Sequence, residues 1–172
     1  RGHLGGEWEI VTSATDITNG LKVQKCSSCG EKVAEEILIA STDLNFISNG
    51  DGTCFVDDIG SCKDPIVVIP SVYNGMRVIN IRGHAFNNSV DLTNVMIPDS
   101  VTSIDNYAFI DCDSLTSITV DPNNPIYASV NGVLFNKELT SLIRYPNGKA
   151  GAYTVPSTVT IIEDGAFEGC IG

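Results

Sequence analysis

A dipeptide that recurs in phase with its surroundings constrains this chain more than any other feature. Ala-Phe occurs three times, with Phe86 and Phe109 separated by 23 residues and Phe167 following 58 residues later. A V-x-x-I segment precedes each copy, with its valine seven residues before the alanine. Apolar residues so spaced are too uneven for a helix and too sparse for one long strand, which indicates a short coil. One coil cannot bury its apolar edge alone, so the copies must stack, with the three phenylalanines as an interior spine.

A ladder of short parallel strands is the second expectation. An aliphatic residue followed by proline closes each copy, and proline ends strand pairing because it lacks a backbone N–H. The predicted strands cover residues 66–69, 95–97, 118–120 and 153–155. Because side chains alternate along a strand, one residue of each strand points outward. This outward row is the first predicted binding surface: Val68, Met96, Thr119 and Thr154.

The repeat also carries a family resemblance. The segment that begins at Ile97, IPDSVTSIDNYAFIDCDSLTSITVDPNNPIYASVNGVLFN, resembles the BspA-type leucine-rich repeats of bacterial surface proteins, and the match covers about residues 45–172. The resemblance implies a mostly β repeat solenoid. It also implies a secreted, non-enzymatic adhesion module at the bacterial cell surface that recognises host matrix proteins, glycans or other surface proteins.

The repeat pattern divides the chain. Residues 1–40 lack it and are predicted to form a small cysteine-containing β module, whereas residues 41–172 form the repeat array. Within the array, residues 41–64 are predicted to be a capping hairpin. Residues 121–150 are a stretched repeat with a protruding hairpin near the Pro-Asn-Gly at 146–148. A protrusion is exposed to partners, so its larger side chains form the second predicted contact surface: Tyr127, Arg144 and Tyr145.

A zinc site is one interpretation of the N-terminal module. Cys26 and Cys29 form a C-x-x-C turn, which can present two thiolates to one metal ion. The segment is similar to small modules with the layout H…G-x-W…A-T-C…G…C-x-x-C-G, although Asp16 stands where that layout has its first cysteine. Zinc would then take His3 and Asp16 as its other ligands. The alternatives are an oxidised Cys26–Cys29 pair or two thiols at the end of a hairpin.

The remaining cysteines receive two different predictions. Cys54 and Cys62 flank the predicted capping hairpin and are the preferred disulfide pair among the 15 pairings that six cysteines allow. Cys112 and Cys170 occupy one repeat position on different coils. Coil spacing puts them roughly 10 Å apart, which is beyond disulfide reach, so both are expected to be small buried residues.

Charge and motif content exclude several functions. The chain has 10 Lys and Arg against 21 Asp and Glu, a formal net charge of −11, which disfavours nucleic acid and anionic membranes as partners. No apolar run approaches the roughly 18 residues that span a bilayer, so this fragment is not expected to insert. No hydrolase, zinc-protease or phosphate-binding motif occurs, and no enzyme activity is expected. The second functional hypothesis is a spacer without a ligand of its own.

The two ends of the chain suggest a longer protein. The first residue is Arg1 rather than methionine, which is typical of an excised or processed piece. The final residues, EGCIG, stop where a further coil would continue. We therefore expect either that the parent protein continues or that this edge pairs with another chain.

Overall fold

The computed structural model describes residues 5–12, 14 and 20–170, and the regular structure among them is entirely β. In chain order the strands are β1 (Gly5–Thr12), β2 (Gly20–Cys26), β3 (Lys32–Leu38), β4 (Asn45–Ser48), β5 (Thr53–Asp58), β6 (Ile66–Val68), β7 (Val72–Tyr73), β8 (Met76–Ile81), β9 (Asn94–Ile97), β10 (Ser103–Ile104), β11 (Ser117–Val120), β12 (Tyr127–Val130), β13 (Val133–Asn136), β14 (Ser141–Arg144) and β15 (Ile161–Ile162). Among the described residues, no helix is long and apolar enough to span a membrane.

Two parallel stacks build the repeat array. Strands β6, β9 and β11 form the predicted ladder, in which Val67, Val95 and Ile118 lie in register and are fully buried. The V-x-x-I segments form the other stack, where β5, β8 and β10 pair in parallel. The hairpin β4–β5 closes one end of this second stack. The predicted mostly β leucine-rich-repeat solenoid is therefore confirmed. Ahead of it, β1, β2 and β3 form a separate antiparallel sheet.

Among the described residues, the ladder has three strands and residues 153–155 form none, so the predicted fourth strand is wrong. The hairpin β12–β13 occupies its place. The Ile118 N–H donates to the Gly132 carbonyl at 2.9 Å, and the Val120 N–H donates to Ser129 Oγ at 3.0 Å. These bonds occupy the N–H groups of Ile118 and Val120 on the outer edge of β11, where a further parallel strand would have to pair.

The aromatic spine contains two of its three predicted rings. Phe86 and Phe109 are buried and stack with their ring centroids 5.4 Å apart. Phe167 is 37% exposed and instead contacts Tyr145, with a centroid separation of 5.4 Å. The stretched repeat has no Ala-Phe pair, and Arg144 lies between Phe109 and the last coil. The expected continuous spine is therefore interrupted at that point.

The Pro-Asn-Gly turn of the stretched repeat does not protrude, which corrects the prediction. Pro146 and Asn147 are buried, and the Gly148 N–H donates to the Leu115 carbonyl at 2.8 Å. A Cβ at position 148 would lie 2.5 Å from the Asp113 carbonyl oxygen, so the close approach of the two backbones requires glycine. The hairpin β12–β13 packs beside the ladder, where a Cβ at position 132 would lie 2.7 Å from Ser117 Oγ. Its turn residues Asn131 and Gly132 have φ of 51° and 76°, as a two-residue hairpin loop requires.

The predictions for the cysteines hold only in part. Cys62 is a thiol that lies 3.6 Å from Asp64 Oδ2, whereas Cys54 Sγ lies 3.9 Å from the Met76 carbonyl oxygen on β8. The predicted Cys54–Cys62 disulfide is therefore not formed, because each sulfur points to a different neighbour. Cys112 and Cys170 are both unbridged thiols, but only Cys112 is buried as expected, because Cys170 is half-buried in the last coil. The Cys112 thiol is buried 3.0 Å from the Phe86 carbonyl oxygen.

Cys112 predicts a pH dependence of stability at alkaline pH. Burial raises the pKa of this thiol from its ordinary value of 9.0 to about 11. Because the folded protein holds the proton more tightly, this stabilisation is complete below pH 9 and is lost as the pH rises towards 11. Between pH 8 and pH 10.5, urea unfolding should show a loss about 2 kcal/mol larger for wild type than for Cys112→Ser. Serine occupies the equivalent position, Ser89, in the preceding coil. Equal losses in both proteins would contradict the prediction.

Candidate functional site

The predicted outward row is in register but is largely covered. Val68 pairs with Met96 and Met96 with Thr119, so the three side chains lie side by side on the outer face of the ladder. Val68 and Met96 are only 7% and 4% exposed, because Ala14 and Ala40 pack against them. Their role as an open binding surface is therefore wrong. Thr119 is half-buried, and Thr154 is exposed but lies outside any strand.

Backbone hydrogen bonds hold the covering segment in place. The Ser41 N–H donates to the Val68 carbonyl at 2.9 Å, and the Val68 N–H donates to Ser41 Oγ at 3.0 Å. The Ser71 N–H donates to the Ala14 carbonyl at 2.8 Å. A sequence with no repeat of its own thus closes one side of the ladder, which the repeat pattern could not indicate.

The second predicted contact surface, Tyr127, Arg144 and Tyr145, is largely buried. Arg144 and Tyr145 are buried, and Tyr127 is half-buried with its Oη accepting the Ile104 N–H at 3.0 Å. Burial raises the pKa of Tyr127. These side chains join coils to one another, so the prediction that they form an exposed cluster is wrong.

A groove of about 630 Å³ lies beside β11, on the outer face of the ladder. Its floor contains Asn94, Ser117 and Thr119 from β9 and β11, and its wall is the hairpin β12–β13, including Ser129 and Asn131. The predicted residues Met96, Thr119 and Tyr127 all line this groove, although only its tertiary structure brings them together. The volume is within the range of ligand-binding clefts.

The groove presents polar side chains that have free hydrogen-bonding capacity. Among the residues that the structure describes, none forms a hydrogen bond with the side chains of Ser117, Thr119 or Asn131. Ser129 is different, because its hydroxyl already accepts the Val120 N–H. Sequence reasoning missed Ser117 and Asn131, since nothing in a linear pattern shows that the hairpin folds back beside the ladder.

The lysines of the groove lie at its rim. Among the described lining residues, Lys137 and Lys149 are the cations and Asp121 is the one carboxylate. Asp121 is buried and its Oδ1 accepts the Asn123 N–H at 2.8 Å. Lys137 Nζ donates to the Pro122 carbonyl at 2.7 Å, which holds the ammonium group beside the groove. The groove therefore carries a formal charge of +1 in a chain of −11.

The predicted zinc site falls mostly outside the described residues. His3 and Asp16 are not among them, and neither is the side chain of Cys26; Cys29 is exposed. Within the described part of the chain, no three His, Cys, Asp or Glu side chains cluster to hold a metal ion. The site formed by Cys26, Cys29, His3 and Asp16 stays a prediction.

Comparison with known proteins identifies the repeat. Residues 69–150 match the family model described as BspA type Leucine rich repeat region, in six copies. The structure is similar to the pneumococcal vaccine antigen PcpA, with 31% identity and a TM-score of 0.51 over 56% of this chain. The match spans 24% of that antigen. The leucine-rich repeat protein of T. pallidum is 21% identical, with a TM-score of 0.50 over 77% of this chain and 67% of its own, and supports the fold. No curated protein matches the chain.

Proposed function

Because residues 69–150 match BspA-type leucine-rich repeats, we propose that this protein is a non-enzymatic binding module displayed on the bacterial cell surface. Its partners are host matrix proteins, glycans or other surface proteins. The observation that carries the proposal is the groove beside β11, where polar side chains with no hydrogen-bond partner among the described residues face a cleft of about 630 Å³. Similarity to a vaccine antigen supports surface display.

The residues of the groove suit binding rather than catalysis. Among the described residues that line the groove, Asp121 is the one carboxylate, and these residues do not supply the pair of acids that glycoside hydrolysis needs. The same lining residues include no histidine or cysteine. Solenoids of this type are generally non-enzymatic, and they bind ligands along the surfaces that their stacked repeats create.

A structural spacer is the second candidate. It is favoured by the cover that Ala14 and Ala40 form over Val68 and Met96, which removes half of the outward row from contact with partners. A spacer projects a neighbouring domain and binds nothing itself. The two candidates therefore differ in whether any ligand is retained.

A binding experiment separates these functions. The full chain is immobilised and exposed to soluble fibronectin, laminin, type I collagen and a panel of glycans. Thr119→Arg places a long side chain on the groove floor, and we expect it to reduce retention of the bound probe at least tenfold. Thr154→Arg is the matched control, because Thr154 is exposed and does not line the groove. Retention of no probe would favour the spacer, and equal retention by both variants would place binding outside the groove.

A further inference from the structure

We infer that the groove binds an acidic oligosaccharide, with a sugar carboxylate paired to Lys137 and Lys149. The inference rests on the proposed binding function and names its ligand class. Three observations on the groove support it: the sign of the charge at the rim, polar side chains with no hydrogen-bond partner among the described residues, and the scarcity of exposed apolar anchors.

The rim favours an anion although the protein as a whole is acidic. Among the described residues, neither lysine forms an ion pair with a carboxylate. Lys137 Nζ uses one of its three donors on the Pro122 carbonyl, which leaves two for a ligand. Asp121 is buried, and its Oδ1 accepts the Asn123 N–H at 2.8 Å. A ligand carboxylate is the group that complements this rim.

The interior of the groove favours a hydroxyl-rich ligand. The hydroxyls of Ser117 and Thr119 can each donate and accept, and the Asn131 amide presents both kinds of group. Sugar hydroxyls need donors and acceptors at closely spaced positions. These three side chains supply them without breaking any bond within the described residues.

A segment of protein is a poorer fit. Protein interfaces depend on exposed aromatic or apolar anchors that enter a pocket, whereas Met96 and Val120 in this groove are only 4% and 7% exposed. Tyr127 is half-buried and its hydroxyl is already engaged. An acidic protein or nucleic acid would also meet long-range repulsion from a chain of net charge −11. A short acidic glycan avoids most of this repulsion because it carries few charges.

The test uses two pairs of glycans that differ in carboxylate charge. Isothermal titration of the full chain compares digalacturonate with its methyl ester, and sialyllactose with its methyl ester. We expect one acidic glycan to bind at least tenfold more tightly than its uncharged counterpart. Lys137→Gln combined with Lys149→Gln should abolish that preference, since glutamine keeps a donor but removes the charge. Lys63→Gln, on an exposed lysine outside the groove, is the control.

Each remaining outcome overturns the inference. Equal binding within both pairs would show that the carboxylate is not recognised. A preference that survives the double substitution would place the site elsewhere. If no acidic glycan binds, the ligand class is wrong, and the proposed function still stands if Thr119→Arg abolishes binding of a matrix protein.

Discussion

Replacement of Phe109 by alanine is expected to destabilise the protein by about 3 to 5 kcal/mol, the range for truncating a buried phenylalanine. The ring is buried and stacks on Phe86 at a centroid separation of 5.4 Å, with an angle of 6° between the ring planes. The loss combines the transfer of apolar surface, the cavity left between two coils and the stacking contact, which adds about 0.5 to 1.5 kcal/mol. Urea unfolding followed by circular dichroism measures it.

Phe167→Ala is the matched control, since this phenylalanine occupies the same repeat position in the last coil. Its ring is 37% exposed and contacts Tyr145 and Tyr153 rather than Phe109. We expect its replacement to cost about 1 kcal/mol, because less apolar area returns to water. Similar losses of unfolding free energy for Phe109→Ala and Phe167→Ala would contradict the difference in burial that the structure gives these two rings.

Replacement of Arg144 by methionine is expected to cost about 4 kcal/mol. The guanidinium donates to the Gly165 carbonyl at 2.6 Å and to the Phe109 and Glu168 carbonyls at 3.1 Å each. It also donates to Asn147 Oδ1. Methionine fills a similar volume but leaves these buried acceptors unpaired, at about 1 to 3 kcal/mol for each acceptor that water cannot reach. Burial lowers the pKa of Arg144, in keeping with a cation held mainly by carbonyl oxygens.

Arg144 joins the last coil to the rest of the array, so its replacement should destabilise the last coil more than the ladder. Relative to wild type, Arg144→Met should accelerate hydrogen exchange more at the Tyr145 amide than at the Ile118 amide in the ladder. The Tyr145 amide donates to the Ala166 carbonyl of the last coil. Arg77→Met, at an exposed arginine on β8, should change the free energy of unfolding by less than about 0.5 kcal/mol. Uniformly faster exchange throughout the chain would contradict a coil-bridging role for Arg144.

The repeat phase predicted the interior because burial in a solenoid is a local property. The outward assignment of Val68, Met96 and Thr119 implies that their neighbours point inward. Those neighbours, Val67, Val95 and Ile118, are fully buried in register. Each of these positions depends on alternation along one short strand and on the next coil covering it. The alternation and the covering coil both lie within about one repeat length of the residue, so the local sequence is enough to predict its burial.

The candidate site could not be predicted in the same way. Thr119 was expected to face outward and does line the groove, but Ser117 and Asn131 carried no signal. Arg144 was expected at a protruding tip, yet it is buried, because the turn that follows it packs against the coil at Leu115. These outcomes depend on contacts between segments that are distant in the chain.

The amino-acid sequence by itself determined that the chain forms stacked coils and which side chains enter their interior. Only the tertiary structure decided which outer surfaces remain open. The segment at Ala14 covers one part of the ladder, and the hairpin that contains Gly132 blocks its last edge and forms the groove. The physical reason is that the pattern of inward-facing apolar residues recurs in every coil. Each covering segment occurs once, and its position depends on packing between segments that do not repeat.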